Sequence, residues 1–258
     1  MLFSSDDGLA KAYRVDLQGI PLSSPPNPTV QRQGNVPVIL NVTTPNLQIR
    51  RAQVHPSKGT ILLFPGGGYH VLAIEHEGVA VADLLNKCGF DVAILEYSIG
   101  NEPAIRAKAL SDATTALNLL QKRGVDMGIN TTSLGVMGFS AGGHLAARLL
   151  HELGSSSPLS MTILIYPAYL DAPGGLQPDV TPPTGTHSKT FVLIGEKDKP
   201  EWVSSAAAYA QASKANGQMS EYHLLPGTGH GFGLKIDQKT PISDWPLQLE
   251  LFLKGCGS

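Results

Sequence analysis

The sequence predicts an α/β protein built on a mostly parallel, doubly wound sheet. From Thr60 onward, short and nearly continuous apolar runs, typical of strands buried on both faces, alternate with segments whose apolar residues recur at helical spacing. Two of the helical segments also have a proline near their first turn, at Pro103 and Pro200. Strands that alternate with helices are joined by right-handed crossovers, which place helices on both faces of the sheet. We expect about eight strands, with an antiparallel edge formed by N-terminal residues.

The first 58 residues differ from the rest because they are rich in Pro, Gly, Asn and Thr. Short apolar pieces at Tyr13 to Leu17, Val36 to Val42 and Leu47 to His55 predict one or two antiparallel edge strands. The segment Ser24-Pro-Pro-Asn-Pro28 cannot lie inside a strand or a helix, since proline lacks the backbone donor that both require. We therefore expect residues 1–58 to form an extended arm that wraps the edge of the sheet.

The alternation of strand and helix continues to the end of the chain. The predicted buried strands are Thr60 to Phe64, Phe90 to Tyr97, Ser133 to Phe139, Met161 to Tyr166, Thr190 to Gly195 and Glu221 to Leu225. The predicted helices are Val79 to Cys88, Ala104 to Arg123, Ala141 to Leu153, Glu201 to Asn216 and Pro246 to Leu253. Ligands of such sheets bind at the carboxyl ends of the strands. Residues 171–187, heavy in Pro, Gly and Thr, are predicted to form an exposed loop beside that edge.

Length and composition indicate one domain over residues 1–258, with the arm at 1–58 and the core at 59–258. A chain of 258 residues with 42% hydrophobic content can bury a full core, and α/β folds of this size are routinely a single domain. The 19 Lys and Arg residues against 21 Asp and Glu give a net charge of −2, and no basic run could follow a phosphate backbone. We therefore expect no nucleic-acid partner.

The sequence predicts neither a membrane segment nor a metal site. No apolar run approaches the roughly 20 residues needed to cross a bilayer, and the N-terminus lacks the charged and apolar regions of a signal peptide. We expect a soluble protein, either cytoplasmic or secreted with its signal removed. The two cysteines, Cys88 and Cys256, cannot form a metal-ligand cluster and say little about redox compartment. We expect no metal and no cofactor, and the oligomeric state stays open.

A glycine-flanked serine follows the strand that ends at Phe139. The sequence Gly138-Phe-Ser-Ala-Gly142 has the pattern of a nucleophile elbow, in which the serine occupies a strained turn between a strand and a helix. Small neighbours are required there because the backbone packs closely and the serine adopts an unusual φ/ψ pair. Ser140 is therefore the candidate nucleophile, and an ordinary glycine turn without chemistry is the alternative.

Three consecutive glycines follow the first buried strand, in Pro65-Gly-Gly-Gly-Tyr69. Glycines at the carboxyl end of a strand allow backbone N–H groups to approach a ligand closely, and a loop at this place can stabilise an oxyanion together with the N–H that follows the nucleophile. The candidate donors are Gly67, Gly68 and Ala141. A tight glycine loop without a ligand is the alternative.

A candidate acid and a candidate base follow the last two strands. Asp198 comes just after the strand that ends at Gly195 and is our candidate acid, with Glu196 and Asp171 as rivals. His230 lies in a loop between glycines, where an imidazole can reach both the serine and the acid. It is therefore the candidate base, a role to which histidine as a residue type is suited. The order serine, aspartate, histidine is that of a hydrolase triad.

With these residues, the sequence resembles the α/β-hydrolase superfamily, and more closely its acetyl xylan esterase and feruloyl esterase-like carbohydrate esterases. The resemblance covers about Thr60 to Phe252. It rests on these motifs: Phe64-Pro-Gly-Gly-Gly-Tyr69, Glu75-His-Glu-Gly78, Gly138-Phe-Ser-Ala-Gly-Gly-His-Leu-Ala146, Asp198 and Gly229-His-Gly-Phe232. It implies a triad of Ser140, Asp198 and His230 and an oxyanion loop at Gly67 and Gly68. The acidic pair Glu75 and Glu77 is interpreted as structural, with substrate contact as the alternative.

The resemblance implies a serine esterase that deacetylates xylan-type carbohydrate through an acyl-enzyme, so the expected partner is a small-molecule or oligosaccharide ester. The short, proline-rich stretch from Leu170 to His187 favours an open pocket and a small acyl group. Tyr69 and Trp202 are candidate sugar-stacking residues, and ordinary packing is the alternative for both. Two other functions stay open: a serine peptidase of the prolyl-oligopeptidase type, disfavoured because 258 residues leave no room for a gating domain, and a hydrolase-fold binding protein without chemistry.

Overall fold

The structure is a computed structural model that describes residues 12–32, 36–171, 180–234 and 245–255. The start of the N-terminal arm, residues 172–179 of the predicted exposed loop and Cys256 lie outside the described residues. Eleven strands are present in the described part: β1 (Tyr13–Asp16), β2 (Pro21–Leu22), β3 (Thr29–Arg32), β4 (Val36–Ile39), β5 (Asn46–Arg50), β6 (Thr60–Phe64), β7 (Asp91–Glu96), β8 (Leu134–Phe139), β9 (Leu159–Ile165), β10 (Lys189–Gly195) and β11 (Ser220–Leu225).

Nine of these strands form one sheet in the order β11-β10-β9-β8-β6-β7-β5-β1-β2. The six strands predicted as buried, β6 to β11, pair in parallel, whereas β5, β1 and β2 pair antiparallel at one edge. The predicted fold class is confirmed, with nine strands in the sheet instead of about eight.

Five α-helices connect the strands in the described part: α1 (Ala80–Lys87), α2 (Ile105–Arg123), α3 (Ala141–Leu153), α4 (Pro200–Ala215) and α5 (Trp245–Lys254). A π-helical turn, Glu75–Val79, precedes α1 and takes up the first residue of the helix that the sequence predicted there. The other helix and strand ends of the core differ from the predicted ones by at most two residues, because continuous apolar runs and helical spacing are strong signals.

One N-terminal prediction is corrected in detail. The apolar piece at Val36 to Val42 was expected at the edge of the main sheet, but β4 pairs with β3 in a separate two-stranded sheet. An isolated bridge from Ile39 to Leu72 connects this hairpin to the core. The edge of the main sheet is instead formed by β5, β1 and β2, and the buried carboxylate of Glu96 fixes it by accepting hydrogen bonds from Arg14 and Asn46.

The carboxyl ends of the parallel strands position the candidate site. Connections from β6 and from β8 leave in opposite directions, toward β7 and toward β9, so the crevice between β6 and β8 is the place where ligands of doubly wound sheets bind. The glycine loop, residues 65–69, follows β6, and Ser140 follows β8. The histidine loop, residues 226–234, follows β11, the third strand beyond β8 in the sheet. The loops that bear the predicted site residues therefore meet at one edge.

Candidate active site

Ser140 occupies a strained turn between β8 and α3. Its backbone angles are φ 50° and ψ −116°, and its N–H donates to the carbonyl of Ile165 at 3.0 Å. The turn is tight, because a Cβ added at Gly138 would lie 2.0 Å from the carbonyl oxygen of Gly142. Any residue larger than glycine at Gly138 is therefore excluded from this conformation, which explains the glycine in the sequence motif. Ser140 is largely buried, with 9% of the residue exposed.

His230 and Asp198 extend from Ser140 as one chain of hydrogen bonds. Ser140 Oγ lies 2.8 Å from His230 Nε2, and His230 Nδ1 lies 2.7 Å from Asp198 Oδ2. The other carboxylate oxygen of Asp198 accepts from the N–H of Lys199 at 2.7 Å, which fixes the orientation of the carboxylate. An ionised carboxylate only accepts, so Nδ1 carries the proton and Nε2 is free to accept one from the serine. The histidine side chain is 30% exposed and the aspartate side chain is fully buried.

The two rival acids occupy other places. Glu196 is exposed, and its carboxylate accepts from the N–H of Gly227 at 2.8 Å in the histidine loop. Asp171 makes no hydrogen bond or ion pair with His230 among those found in the described ranges. The structure thus brings Asp198, and neither rival, to the imidazole.

The glycine loop packs directly against Ser140. A Cβ added at Gly66 would lie 3.0 Å from the Cβ of Ser140, so no side chain fits between the loop and the serine. Gly67 has φ 129°, a region open to glycine, and a Cβ there would lie 2.1 Å from the carbonyl oxygen of Val71. These glycines allow the loop backbone to lie against the candidate nucleophile.

The hydrogen bonds of the glycine loop orient its N–H groups by engaging its carbonyls. The carbonyl of Pro65 accepts from the hydroxyl of Tyr97 at 2.6 Å, and the carbonyl of Gly67 accepts from the N–H of Val71 at 3.1 Å. Among the hydrogen bonds found within the described residues, none uses the N–H of Gly67 or Gly68. These two donors are therefore available to a ligand.

A third donor comes from the first residue of α3. The N–H of Ala141 has no partner within its own helix, as for any first-turn residue, and the positive end of the helix dipole lies beside Ser140. Both features favour negative charge close to the serine oxygen. The arrangement can deprotonate a serine hydroxyl and stabilise an oxyanion beside it. No cluster of three or more potential metal ligands occurs in the part of the chain that the structure describes.

Tyr69, the first predicted sugar-stacking residue, is 2% exposed, which favours the alternative of ordinary packing. The hydroxyl lies 2.8 Å from Nδ1 of His144, and the ring packs edge-on against Tyr97 at 6.0 Å between centroids. The hydroxyl and the ring of Tyr69 thus both have partners inside the protein. His144 is itself fully buried in α3, and burial lowers its pKa from the ordinary 6.5 to about 3.

Trp202, the second predicted stacking residue, lies beside the candidate base. Trp202 is half-buried, and its ring centroid lies 4.8 Å from that of His230. The Nζ atom of Lys199 lies 4.2 Å from the centroid of the Trp202 ring. The sequence reasoning missed Tyr169, whose ring is 5.6 Å from that of Trp202 and whose hydroxyl lies 3.8 Å from where a Cβ on Gly68 would be. Trp202 and Tyr169 thus form a half-buried aromatic pair next to both the base and the glycine loop.

Strained backbone is concentrated around the same site. In the described ranges, the non-glycine residues with positive φ are Tyr69 (67°), Ser140 (50°), Tyr166 (36°) and Tyr169 (57°). Each such residue costs on the order of 1–3 kcal/mol and persists only where its surroundings hold it. Tyr166 and Tyr169 both follow β9, whose carboxyl end lies at this edge; that position was the one sequence signal that could have identified them.

Comparisons with known proteins agree with this architecture. Residues 61–182 match the model of a family described as having the α/β-hydrolase fold. Over 117 residues, or 44% of this chain, the sequence is 32% identical to an acetylxylan esterase of Xylanibacter ruminicola. That match spans 23% of the relative's length, so most of the relative lies outside the matched region.

Two solved structures superpose over nearly the whole chain. An α/β-hydrolase enzyme from a Medee basin deep-sea metagenome library aligns with a TM-score of 0.72 and 22% identity, covering 97% of this chain and 99% of its own. An acetyl ester-xyloside bifunctional hydrolase from Caldicellulosiruptor lactoaceticus aligns with a TM-score of 0.71 and 23% identity, covering 96% and 98%. At these identities the likeness establishes the fold. The chain therefore has the α/β-hydrolase fold, and its residues 61–182 match a family of that fold.

Proposed function

We propose that this chain is a serine carboxylester hydrolase that works through an acyl-enzyme. The observation that carries the proposal is the unbroken chain from Ser140 Oγ to His230 at 2.8 Å and from His230 to Asp198 at 2.7 Å. The proton of Nδ1 is held by the aspartate, so Nε2 can accept the serine proton as the hydroxyl attacks.

In the proposed reaction, Ser140 Oγ attacks the ester carbonyl while His230 takes its proton. The carbonyl oxygen becomes an oxyanion, which accepts hydrogen bonds from the N–H groups of Gly67, Gly68 and Ala141. When the intermediate collapses, the ester C–O bond breaks and the imidazolium gives its proton to the leaving alcohol. Water then attacks the acyl-serine by the same steps in reverse, which releases the acid and restores the serine.

The proposed substrate class is acetylated carbohydrate of the xylan type. It is supported by the esterase relative from Xylanibacter ruminicola and by the half-buried aromatic pair beside the site, since sugar rings bind on aromatic faces. The small acyl group was inferred from the stretch Leu170 to His187, of which residues 172–179 lie outside the described residues, so this preference stays a prediction.

Ester hydrolysis by the unmodified protein tests the proposed reaction. We expect turnover of p-nitrophenyl acetate, with a lower kcat/KM in acid than at neutral pH, because a protonated imidazole cannot act as base. We also expect a fluorophosphonate probe to label one serine, which mass spectrometry should assign to Ser140. A protein that neither hydrolyses the ester nor reacts with the probe contradicts the proposal, and faster turnover of a dipeptide anilide than of the ester would favour a peptidase.

A substitution at Trp202 tests the substrate class. We expect Trp202→Ala to raise KM for acetylated xylo-oligosaccharides about fivefold, because an aromatic contact contributes about 1 kcal/mol. The KM for a simple alkyl acetate should change less than twofold, since that ester is too small to reach the ring. Acetyl release is measured for both substrates, with Tyr222→Ala as the control that removes a partly exposed aromatic ring from the edge strand β11. Equal effects on both substrates would contradict a sugar-binding role.

A further inference from the structure

A buried carboxylate lies between the glycine loop and the histidine loop. Glu77, in the π-helical turn before α1, is 3% exposed. One of its oxygens accepts from the N–H of Gly66 at 2.7 Å, and the other accepts from the hydroxyl of Tyr166 at 2.8 Å. Burying a carboxylate is costly unless hydrogen bonds compensate its lost hydration, so these two bonds fix where the carboxylate lies.

Tyr166 continues the connection to the histidine loop. It directly follows β9, and its hydroxyl accepts from the N–H of Gly233 at 2.9 Å while it donates to Glu77. Its ring packs edge-on against that of His230, with 5.0 Å between centroids. Burial, and the nearby charge of Glu77, raise the pKa of the Tyr166 hydroxyl well above its ordinary value, so the hydroxyl remains protonated and donates.

A backbone bond ties the same turn to the histidine loop a second time. The N–H of Leu234 donates to the carbonyl of His76 at 2.8 Å. The turn therefore contacts the histidine loop in two ways. Its backbone accepts a hydrogen bond from Leu234, and its Glu77 side chain reaches the neighbouring Gly233 through the hydroxyl of Tyr166. The π-helical form of the turn is unusual, and such turns are found frequently at functional sites.

We propose that Glu77 is a positioning residue for the ester reaction, acting on the oxyanion donors and on the base through Gly66 and Tyr166. The inference rests on the proposed function for its kinetic consequence. Gly66 immediately precedes the candidate donors Gly67 and Gly68, and Gly233 lies three residues after His230. One carboxylate thus sets the distance between the group that takes the proton and the groups that receive the oxyanion, and small errors in such distances are costly.

The arrangement requires two acceptors and explains why a carboxylate is present instead of an amide. The N–H of Gly66 and the O–H of Tyr166 both point their hydrogens at Glu77. A glutamine would offer one acceptor and one donor. Its NH₂ group would meet the tyrosine hydroxyl, which already accepts from Gly233 and would then have no acceptor for its own hydrogen. Glu77→Gln therefore keeps the size of the side chain but disrupts the series of hydrogen bonds that joins Gly66, Tyr166 and Gly233.

Kinetics and amide hydrogen exchange of Glu77→Gln together test the inference. We expect kcat for p-nitrophenyl acetate to fall about 10- to 100-fold while KM changes less than about threefold, because the donors and base are misplaced without loss of ester contacts. Backbone amides of Gly66 and Gly233 should exchange faster in the same variant. Tyr166→Phe should give the same pattern. The kcat of the double variant should be little lower than that of either single variant, because both changes remove the same hydrogen bond between Glu77 and Tyr166.

Glu75→Gln is the matched control, since it removes a carboxylate from the same turn that makes no hydrogen bond with either loop among those found in the described residues. It should change kcat less than twofold. Unchanged kcat and unchanged exchange of both loops in Glu77→Gln and in Tyr166→Phe would overturn the inference. A wild-type protein without ester turnover would instead contradict the proposed function, and the exchange of Gly66 and Gly233 would then decide on its own whether Glu77 holds the two loops.

Discussion

Replacing Ser140 by alanine should lower kcat for p-nitrophenyl acetate by about 10⁴-fold or more, because no other group at the site can form the acyl-enzyme. The serine hydroxyl is the atom that His230 contacts at 2.8 Å, and the change removes that atom alone. The fold should be preserved, since Ser140 holds its turn through its backbone N–H bond to Ile165 and not through its side chain. Steady-state kinetics and far-ultraviolet circular dichroism of both proteins measure the two expectations.

Two further variants sharpen this result. Ser133 immediately precedes the first residue of β8, at the end of the strand away from Ser140, and its hydroxyl lies 2.8 Å from that of Ser160. The variant Ser133→Ala should retain full activity. The double variant Ser140→Ala with His230→Ala should be almost as active as Ser140→Ala alone, because the two residues act as a unit and their losses do not add. A Ser140→Ala protein that keeps more than about a tenth of the wild-type rate contradicts the proposed nucleophile.

The core of the fold could be predicted because its signals are local. Strands such as β6 and β8 are buried on both faces and therefore have continuous apolar runs, and the helices between them have a clear helical period. Parallel strands place their carboxyl ends at one edge, so the sequence order alone indicated that Ser140, Asp198 and His230 would come together. Their distances agree with that expectation, and their catalytic roles remain predictions.

The parts that could not be predicted depend on contacts between distant residues. Whether Tyr69 faces solvent or the interior is decided by His144, 75 residues away in the chain, which offers a partner for the hydroxyl inside the protein. The bond between Glu77 and Tyr166 spans 89 residues. No hydrophobic period or sequence motif around these residues predicts such a contact between distant parts of the chain. Likewise β4 has the pattern of any short edge strand, and its pattern cannot tell which sheet it joins.

His144 should make the protein markedly less stable in acid. Burial, with smaller contributions from the charges of Arg106 and Arg148, lowers its pKa from 6.5 to about 3 in the folded protein. Between these two values the unfolded chain binds a proton at this residue and the folded chain does not. Unfolding therefore takes up a proton, and the free energy of unfolding falls as the pH is lowered from about 6.5 toward 3. Above 6.5 the residue contributes no pH dependence, because both states are neutral there.

The expected loss is on the order of 5 kcal/mol over the whole window, with a slope approaching about 1.4 kcal/mol per pH unit. Urea unfolding at several pH values measures it for the wild type and for His144→Gln, which keeps an acceptor for the hydroxyl of Tyr69. Carboxylates also titrate in acid, but they do so in both proteins, so the difference between the two slopes isolates His144. We expect the variant to lose stability less steeply below pH 6.5, even if its stability at neutral pH is lower. Parallel curves would contradict a neutral, buried imidazole at this position.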